Sequence, residues 1–436
     1  MSRTLMLEAI SACNLKCKFC AYKNEMTGES LEKRKMIEIL NDVQKLNAEN
    51  KFNPFLRVRL DGNTEPTLYK DFKWLIDTCG NTALRHDSEN KFKINCVTNG
   101  LLLNEDIGRH LLINNVTIHV SMTGLTEKVY RGFQGSNLSE QACKKVLDSV
   151  KKNVSTLIKM KQELGSDTTI ELRYILCEAS VDEFAPYLDY WREEGASRVL
   201  VMGLGGNVLA AESHPIGSIV SRKQCRYFGK VLVKASGDVL LSCCNYVMDS
   251  VGNIYDKSFY DIMSSDDVMK IEAANINRDA ANLPPICRGC RETHIYEESL
   301  TETDNFDFIK NPFTKHRIDF FEMSRHKKLI IWGAGNEFRI AQKKYLHNFK
   351  VEYIVDNNAK LWNTIVGGLV VKSPDVLKKE DKDNTVVLIA SNYCFSIEAQ
   401  LLKIGLKHYF STVLFLDRYL DSFNHAADQI AIQLKV

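Results

Sequence analysis

Three cysteines stand close together near the start of the chain. Cys13, Cys17 and Cys20 lie in the stretch SACNLKCKFCAY, spaced C-x3-C-x2-C. A structural zinc site takes four ligands and a disulfide takes cysteines in pairs, so a set of three needs another account. Closely spaced thiolates in one short loop suit a four-iron iron–sulfur cube. Three thiolates leave one iron without a protein ligand, and an open coordination position on a metal is a place for chemistry. The plainer alternative is a zinc knuckle completed by a distant ligand, although C-x3-C is an uncommon spacing for zinc.

Five more of the thirteen cysteines are grouped: Cys225, the adjacent pair Cys243 and Cys244, and the C-x2-C of Cys287 and Cys290. The other five, Cys79, Cys96, Cys143, Cys177 and Cys394, stand alone and read as small buried hydrophobes.

The elements that must position these groups alternate. TLMLEAI, FLRVRLDG, FKINCVTNG, VTIHVSMTG, IELRYIL and RVLVMGL read as strands, with amphipathic helix-length stretches between them such as 31–47 and 138–164. Six βα units in a row predict a parallel sheet with right-handed crossovers, a partial (β/α)6 TIM-like barrel in an α/β fold over residues 1–220. Cys13, Cys17 and Cys20 then sit past the first strand, at the carboxyl edge where α/β sites form. From 221 to 300 the pattern breaks into a hairpin, KVLVKASGDVLLSCC with Gly237-Asp238 at its turn, short helices and the CRGC loop. A linker is expected over 301–323, then a second α/β unit over 324–436 closing on a terminal helix.

The cysteine motif resembles that of the radical S-adenosylmethionine (SAM) enzymes, C-x3-C-x-aromatic-C, with Phe19 as the aromatic. The resemblance implies that SAM chelates the open iron and that one electron cleaves it to a 5′-deoxyadenosyl radical, which abstracts hydrogen from a substrate. DGNTEPTL resembles the family's G-G-E-P motif, which cradles the SAM amino group: Glu65 and Pro66 match, while Asn63 and Thr64 replace the glycines. By the same resemblance Asn99 in TNG, Ser121 in VSMTG, and Arg173 are candidate SAM contacts. Family members commonly carry Asp where this chain has Thr123.

Cys225 to His294 resembles the auxiliary-cluster module called SPASM, twitch in its shortened form. Cys225 and Cys243 are separated by seventeen residues, and no cysteine follows Cys290 until Cys394. The resemblance therefore implies one auxiliary [4Fe–4S] cluster on Cys225, Cys243, Cys287 and Cys290, with Cys244 the alternative to Cys243. A four-cysteine zinc site is the other reading. A fully ligated cluster suits electron transfer.

In KKLIIWGAGNEFRIA a strand precedes Gly333-x-Gly335 and a helix follows, and Asp356 stands twenty-one residues past Gly335. This is the dinucleotide-fold fingerprint with Phe338 in place of its third glycine. It makes Gly333, Gly335 and Asp356 candidates for holding a nucleotide or nucleotide-sugar. A Rossmann-like domain serving assembly without a ligand is the alternative.

Strand alternation bears on the substrate. Arg57, Arg59 and Asp61 share one face of their strand, His119 and Ser121 another, Glu171 and Arg173 a third. A barrel interior normally holds branched aliphatics. Polar residues there form either an ion-pair network or a pocket, with Arg59, His119 and Glu171 as catalytic candidates. The substrate expected is a polar, carbohydrate-like or polyol small molecule, oxidised or epimerised. Modification of a peptide is the alternative, weighed against by the twelve residues preceding Cys13. A non-catalytic redox or nucleotide sensor is a third reading. A low-potential electron donor such as flavodoxin or ferredoxin is the expected partner.

The 57 basic and 55 acidic residues leave a formal charge of +2 and are interspersed, which argues against nucleic acid or an anionic membrane as partner. No apolar run spans a bilayer and no signal core precedes a cleavage site, so a cytoplasmic location is expected.

Overall fold

The computed structural model describes residues 3–20, 22, 24–49, 54–84, 92–176, 179–196, 198–202, 219–222, 225, 228–241, 249–279, 281–284, 287, 294–296, 312–346, 349–391 and 393–412. The chain forms two compact units, Met1–Ile170 with Gly205–Thr301, and Glu171–Leu204 with Glu302–Val436.

In the first unit the strands are β1 (Arg3–Leu7), β2 (Phe55–Arg59), β3 (Lys93–Thr98) and β4 (Thr117–Ser121). They alternate with α1 (Lys33–Ala48), α2 (Phe72–Leu84), α3 (Glu105–Ile113), and the pair α4 (Glu127–Phe133) and α5 (Glu140–Glu163). All four strands are parallel neighbours in chain order. Beyond β4, the Ile118 N–H donates to Thr169 O at 2.9 Å, where β5 (Ile170–Ile175) begins. This is the parallel sheet of a partial barrel, and the expected α/β class holds.

The helices form for legible reasons. Asn104 caps α3 by accepting the Ile107 N–H at 2.9 Å, and Ser139 caps α5. Along α5 the buried residues Cys143, Leu147, Val150, Val154, Leu157 and Ile158 recur every three or four positions, the stripe of a helix packed on a sheet. Burying one such aliphatic side chain is worth about 1.5–3 kcal/mol.

The hairpin at the start of the 221–300 segment is joined to the barrel sheet. β8 (Lys230–Val233) follows β6 (Arg198–Met202) and β7 (Ile219–Arg222) in the chain, and pairs in parallel with β1, Thr4 opposite Lys230 and Leu7 opposite Val233. β9 (Asp238–Leu240) returns antiparallel, then β10 (Gly252–Asn253), giving the order β10-β9-β8-β1-β2-β3-β4. Flanked on both edges, β1 is buried at every position. Two short helices, α7 (Phe259–Met263) and α8 (Asp266–Asn277), follow. Phe259 of α7 packs on Phe55 with ring centroids 6.0 Å apart, and Arg3 pairs with Glu272 of α8. β11 (His294–Tyr296) pairs antiparallel with β7.

The second unit holds the parallel pair β5 and β6, with α6 (Val181–Glu193) between them, and a six-stranded sheet. The segment expected as a linker overlaps a helix, α9 (Pro312–His326). The sheet contains β12 (Lys328–Trp332), β13 (Val351–Val355), β14 (Ile365–Val366), β15 (Leu369–Lys372), β16 (Thr385–Ile389) and β17 (Tyr409–Ser411). Its order is β14-β15-β13-β12-β16-β17, and the five parallel strands reverse direction of growth at β12, as in a doubly wound sheet. α10 (Asn336–Lys344) and α11 (Cys394–Ile404) belong to its crossovers. Phe320, Ile331, Phe338, Ile354 and Leu388 lie in its core. The expected terminal helix lies outside the described residues.

Candidate active site and cluster ligands

The first strand ends at Leu7, and the chain then makes a long loop whose two ends are tied by a bridge between Ile10 and Ser30. Cys13, Cys17 and Cys20 lie in this loop, all partly buried. The Cys20 N–H donates to Cys17 O at 3.1 Å, and the Leu15 N–H faces Cys13 Sγ at 3.5 Å. Burial pushes the Cys17 thiol up to about 12, and the neighbouring Cys13 and Cys20 push the same way. Burial also raises Cys13. Thiols that resist ionising in each other's company become favourable thiolates when a multivalent cation lies among them. Among the described residues no three His, Cys, Asp or Glu side chains converge on a point for a single ion. The thiols of a four-iron cube bind three different irons and need no common centre. The donor set fits the cluster.

Two elements hold the loop. On one side stands Glu65, buried just before the short 3-10 turn Pro66–Leu68. Its N–H donates to Ala12 O at 2.9 Å. Its carboxylate accepts four hydrogen bonds, from Thr67 N–H and Oγ1, from Thr98 Oγ1 at 2.7 Å and from Asn99 N–H at 2.7 Å. Burial raises the Glu65 carboxyl, and those donors oppose it without cancelling it. Asn99 reaches back to the loop, its Nδ2 donating to Asn14 Oδ1 at 2.7 Å and facing Cys13 Sγ at 4.0 Å. Glu65 thus ties the β2 and β3 edges to the cysteine loop. Pro66 opens the 3-10 turn, where a missing N–H costs nothing. Just upstream, Gly62 has φ +49°, and a Cβ there would lie 2.6 Å from Glu8 Cβ.

On the other side stands the segment after α4, which sequence reasoning missed. Lys18 N–H donates to Phe133 O at 2.8 Å, Ser136 Oγ donates to Lys16 O at 2.8 Å, and the Phe19 and Phe133 rings lie 6.3 Å apart. Gln134, buried, accepts the Thr123 N–H at 2.9 Å and donates to Ser121 O at 2.5 Å. Ser121 is therefore positioned through its backbone. The turn residues in FQGSN were the available signal.

The polar face of β2–β4 carries a second group. Arg59 pairs with Asp61, whose Oδ1 also accepts the Val97 N–H at 3.2 Å. The Asn95 amide lies 3.0 Å from Nε2 of buried His119, and Asn95 Oδ1 is buried with no hydrogen-bond partner among the described residues. Arg57 is exposed. In the second unit Glu171 is buried and pairs with Arg173 at 3.1 Å and with Arg198 at 2.8 Å.

Cys225 is buried just before β8, its N–H and C=O both bonded by Asn275 of α8, at 2.9 and 3.3 Å. Cys287 is buried, its N–H donating to Pro284 O at 2.8 Å. Cys243, Cys244 and Cys290 lie outside the described residues. Because β8 runs parallel to β1, Cys225 precedes the sheet at its amino edge while Cys13 follows it at the carboxyl edge.

In the second unit Gly333 has φ +116°, and a Cβ there would meet Ala390 O at 2.5 Å. Both Asp356 carboxylate oxygens are taken by backbone N–H groups, of Ala334 and Asn358, each at 2.8 Å. Gly335 has open space around it.

Residues 7–167 match the radical SAM superfamily profile, and residues 225–291 match the iron–sulfur cluster-binding domain called SPASM. The chain carries a radical SAM domain and an auxiliary-cluster domain. With them come SAM and two [4Fe–4S] clusters. Residues 325–410 match the C2185-like N-terminal domain, so the Rossmann-like assignment to that region is not the one the profile gives. Among solved structures, Streptococcus suis SuiB bound to precursor peptide SuiA aligns at 16% identity and TM-score 0.44, over 61% of this chain and 65% of that one. The chain thus spans just under two thirds of SuiB. BtrN in complex with AdoMet and 2-DOIA aligns at 14% identity and TM-score 0.41, over 67% of this chain and 93% of that one. AnSMEcpe with bound AdoMet and Cp18Cys peptide aligns at 19% identity and TM-score 0.37, over 66% and 86%. No curated protein matches the chain.

Proposed function

We propose that this radical SAM enzyme is an oxidoreductase acting on a hydroxyl-rich, carbohydrate-like small molecule. The observation that carries this is the polar face of β2–β4, with Arg59, Asp61, Asn95 and His119 where a barrel interior ordinarily packs branched aliphatics. The unpaired buried Asn95 Oδ1 costs stability unless a ligand donates to it. When bound, SAM and the two clusters supply a 5′-deoxyadenosyl radical that removes a substrate hydrogen and a site that accepts the second electron. The chain's own residues then have three tasks. Glu65, Asn99 and Ser121 shape the SAM pocket at the carboxyl edge. Arg59 and Asn95 orient the substrate hydroxyl. His119 takes the hydroxyl proton as the carbonyl forms. Hydrogen atom, electron and proton together make a two-electron oxidation.

A flavodoxin or ferredoxin is the expected electron donor, and a cytosolic location agrees with the cysteine content. No described helix is long and apolar enough to cross a membrane. The 325–410 domain is read as an assembly module rather than a nucleotide site, because Asp356 already serves the backbone.

The test is isotopic. Anaerobically reconstituted enzyme is incubated with SAM, a reductant and deuterated polyols or amino sugars, with peptides as a parallel set. Deuterium in 5′-deoxyadenosine from a polyol supports the reading. Transfer from peptides alone, together with an altered peptide product, replaces it.

A further inference from the structure

Beside the cysteine loop, at the carboxyl edge of β1 and β8, lies a cavity of about 90 Å³. Glu8, Ser11, Tyr22, Glu25, Glu29 and Lys234 line it, with Thr64 of the Glu65 loop at its wall. Glu8 is 6% exposed. Its Oε1 accepts the Ala235 N–H at 3.2 Å, and its other oxygen takes no hydrogen bond from a described residue. The positive φ of Gly62 and its close approach to Glu8 hold this carboxylate in place. With three carboxylates and one ammonium, the described lining carries a formal charge of −2, from −3 for Glu8, Glu25 and Glu29 and +1 for Lys234. A half-satisfied carboxylate that is nine-tenths buried is costly unless something donates to it. The cavity is too small for a whole sugar and large enough for one charged substituent.

We infer that this cavity receives the ammonium group of an amine-bearing substrate, with Glu8 as its buried acceptor. This rests on the oxidoreductase reading and narrows it: the hydroxyl to be oxidised lies toward the polar face, while the amine is held at the rim. A primary amine can come from an amino sugar or aminocyclitol, or from a lysine side chain or peptide N-terminus.

The experiment uses full-length, anaerobically reconstituted enzyme with SAM bound. Binding of glucosamine is compared with glucose, and 2-deoxystreptamine with myo-inositol. Lysine-containing peptides are compared with norleucine peptides, and magnesium chloride is run alone. An amine preference of about tenfold or more is expected, matching the strength of a charge-assisted hydrogen bond. Glu8→Gln, which keeps an acceptor for Ala235, should abolish the preference. Lys234→Met should strengthen amine binding about two- to fivefold. A merely structural role for Glu8 would not produce this opposite pair of signs. Equal binding of amine and neutral partner, or a site filled by magnesium alone, overturns the inference. So does an unchanged preference in Glu8→Gln. An amine preference confined to peptides keeps the site and assigns it to a lysine or N-terminus. Formation of 5′-deoxyadenosine is followed in the same samples. Its absence would fault the radical reading, whereas cleavage without amine preference would fault only this site.

Discussion

At the scale of single residues, Cys17 and Glu65 carry different burdens. Cys17 is proposed as a cluster ligand, and on that reading Cys17→Ala should abolish 5′-deoxyadenosine formation and remove about four of eight irons per chain, leaving the auxiliary cluster intact. Iron analysis and chromatography of the cleavage product check both. Glu65 is a joint. Its carboxylate accepts four hydrogen bonds from Thr67, Thr98 and Asn99. Glu65→Gln turns one acceptor into a donor aimed at donors and should cost about 1–3 kcal/mol, read as a lower melting temperature under anaerobic conditions. An unchanged melting temperature would mean that the three partners re-pair elsewhere.

At the scale of elements, Gln134 clamps the end of β4 from the turn after α4. Gln134→Leu removes the acceptor of the Thr123 N–H and the donor to Ser121 O, so a loss of about 2–4 kcal/mol is expected. Cluster retention should fall with it, since Phe133 and Ser136 of the same segment hold Lys18 and Lys16. In the second unit, burial alone would raise the Glu380 carboxyl. Hydrogen bonds from Lys328 at 2.7 Å and Tyr353 at 2.5 Å outweigh it, and the carboxyl lies below its usual range. A depressed carboxylate stabilises above its unfolded value and loses that contribution as pH falls through its folded one. Melting of the full chain should therefore weaken below about pH 4.5, by up to about 1 kcal/mol. Glu380→Gln should flatten that slope. The βα alternation and the cysteine loop were legible in sequence because strand and helix periods differ and the C-x3-C-x2-C spacing is compact. Gln134 was not legible, because a lone glutamine in a helix-end turn carries no periodic signal. The backbone hydrogen bonds that Asp356 accepts from Ala334 and Asn358 were not legible either, because the same position in the motif is the one from which a carboxylate meets a ribose. The helix over 312–326 hid within a polar stretch whose apolar residues, Phe320 among them, pack on the second sheet.

At the scale of the whole molecule, the two cysteine sets should be separable. Cys290→Ala should preserve SAM cleavage while the oxidised product disappears, provided that circular dichroism shows an intact fold. A folded variant that still oxidises its substrate would leave the auxiliary cluster a structural part, and redox-neutral epimerisation would become the better reading.

The parallel pairing of β1 with β8 has a kinetic consequence. The loop of Cys13 leaves β1 six residues before that cysteine, and Cys225 enters β8 five residues later, so the two cysteine segments join adjacent hydrogen-bonded strands at opposite edges of one sheet, which rises about 3.3 Å per residue. A gap set by backbone rungs cannot open and close as a hinge does. On the proposed oxidation, an electron leaving substrate at the carboxyl edge for the auxiliary cluster crosses a length set by that sheet, not by the friction of a moving part. In a single turnover, added glycerol should slow substrate entry and product exit while leaving the oxidation step itself at the same rate.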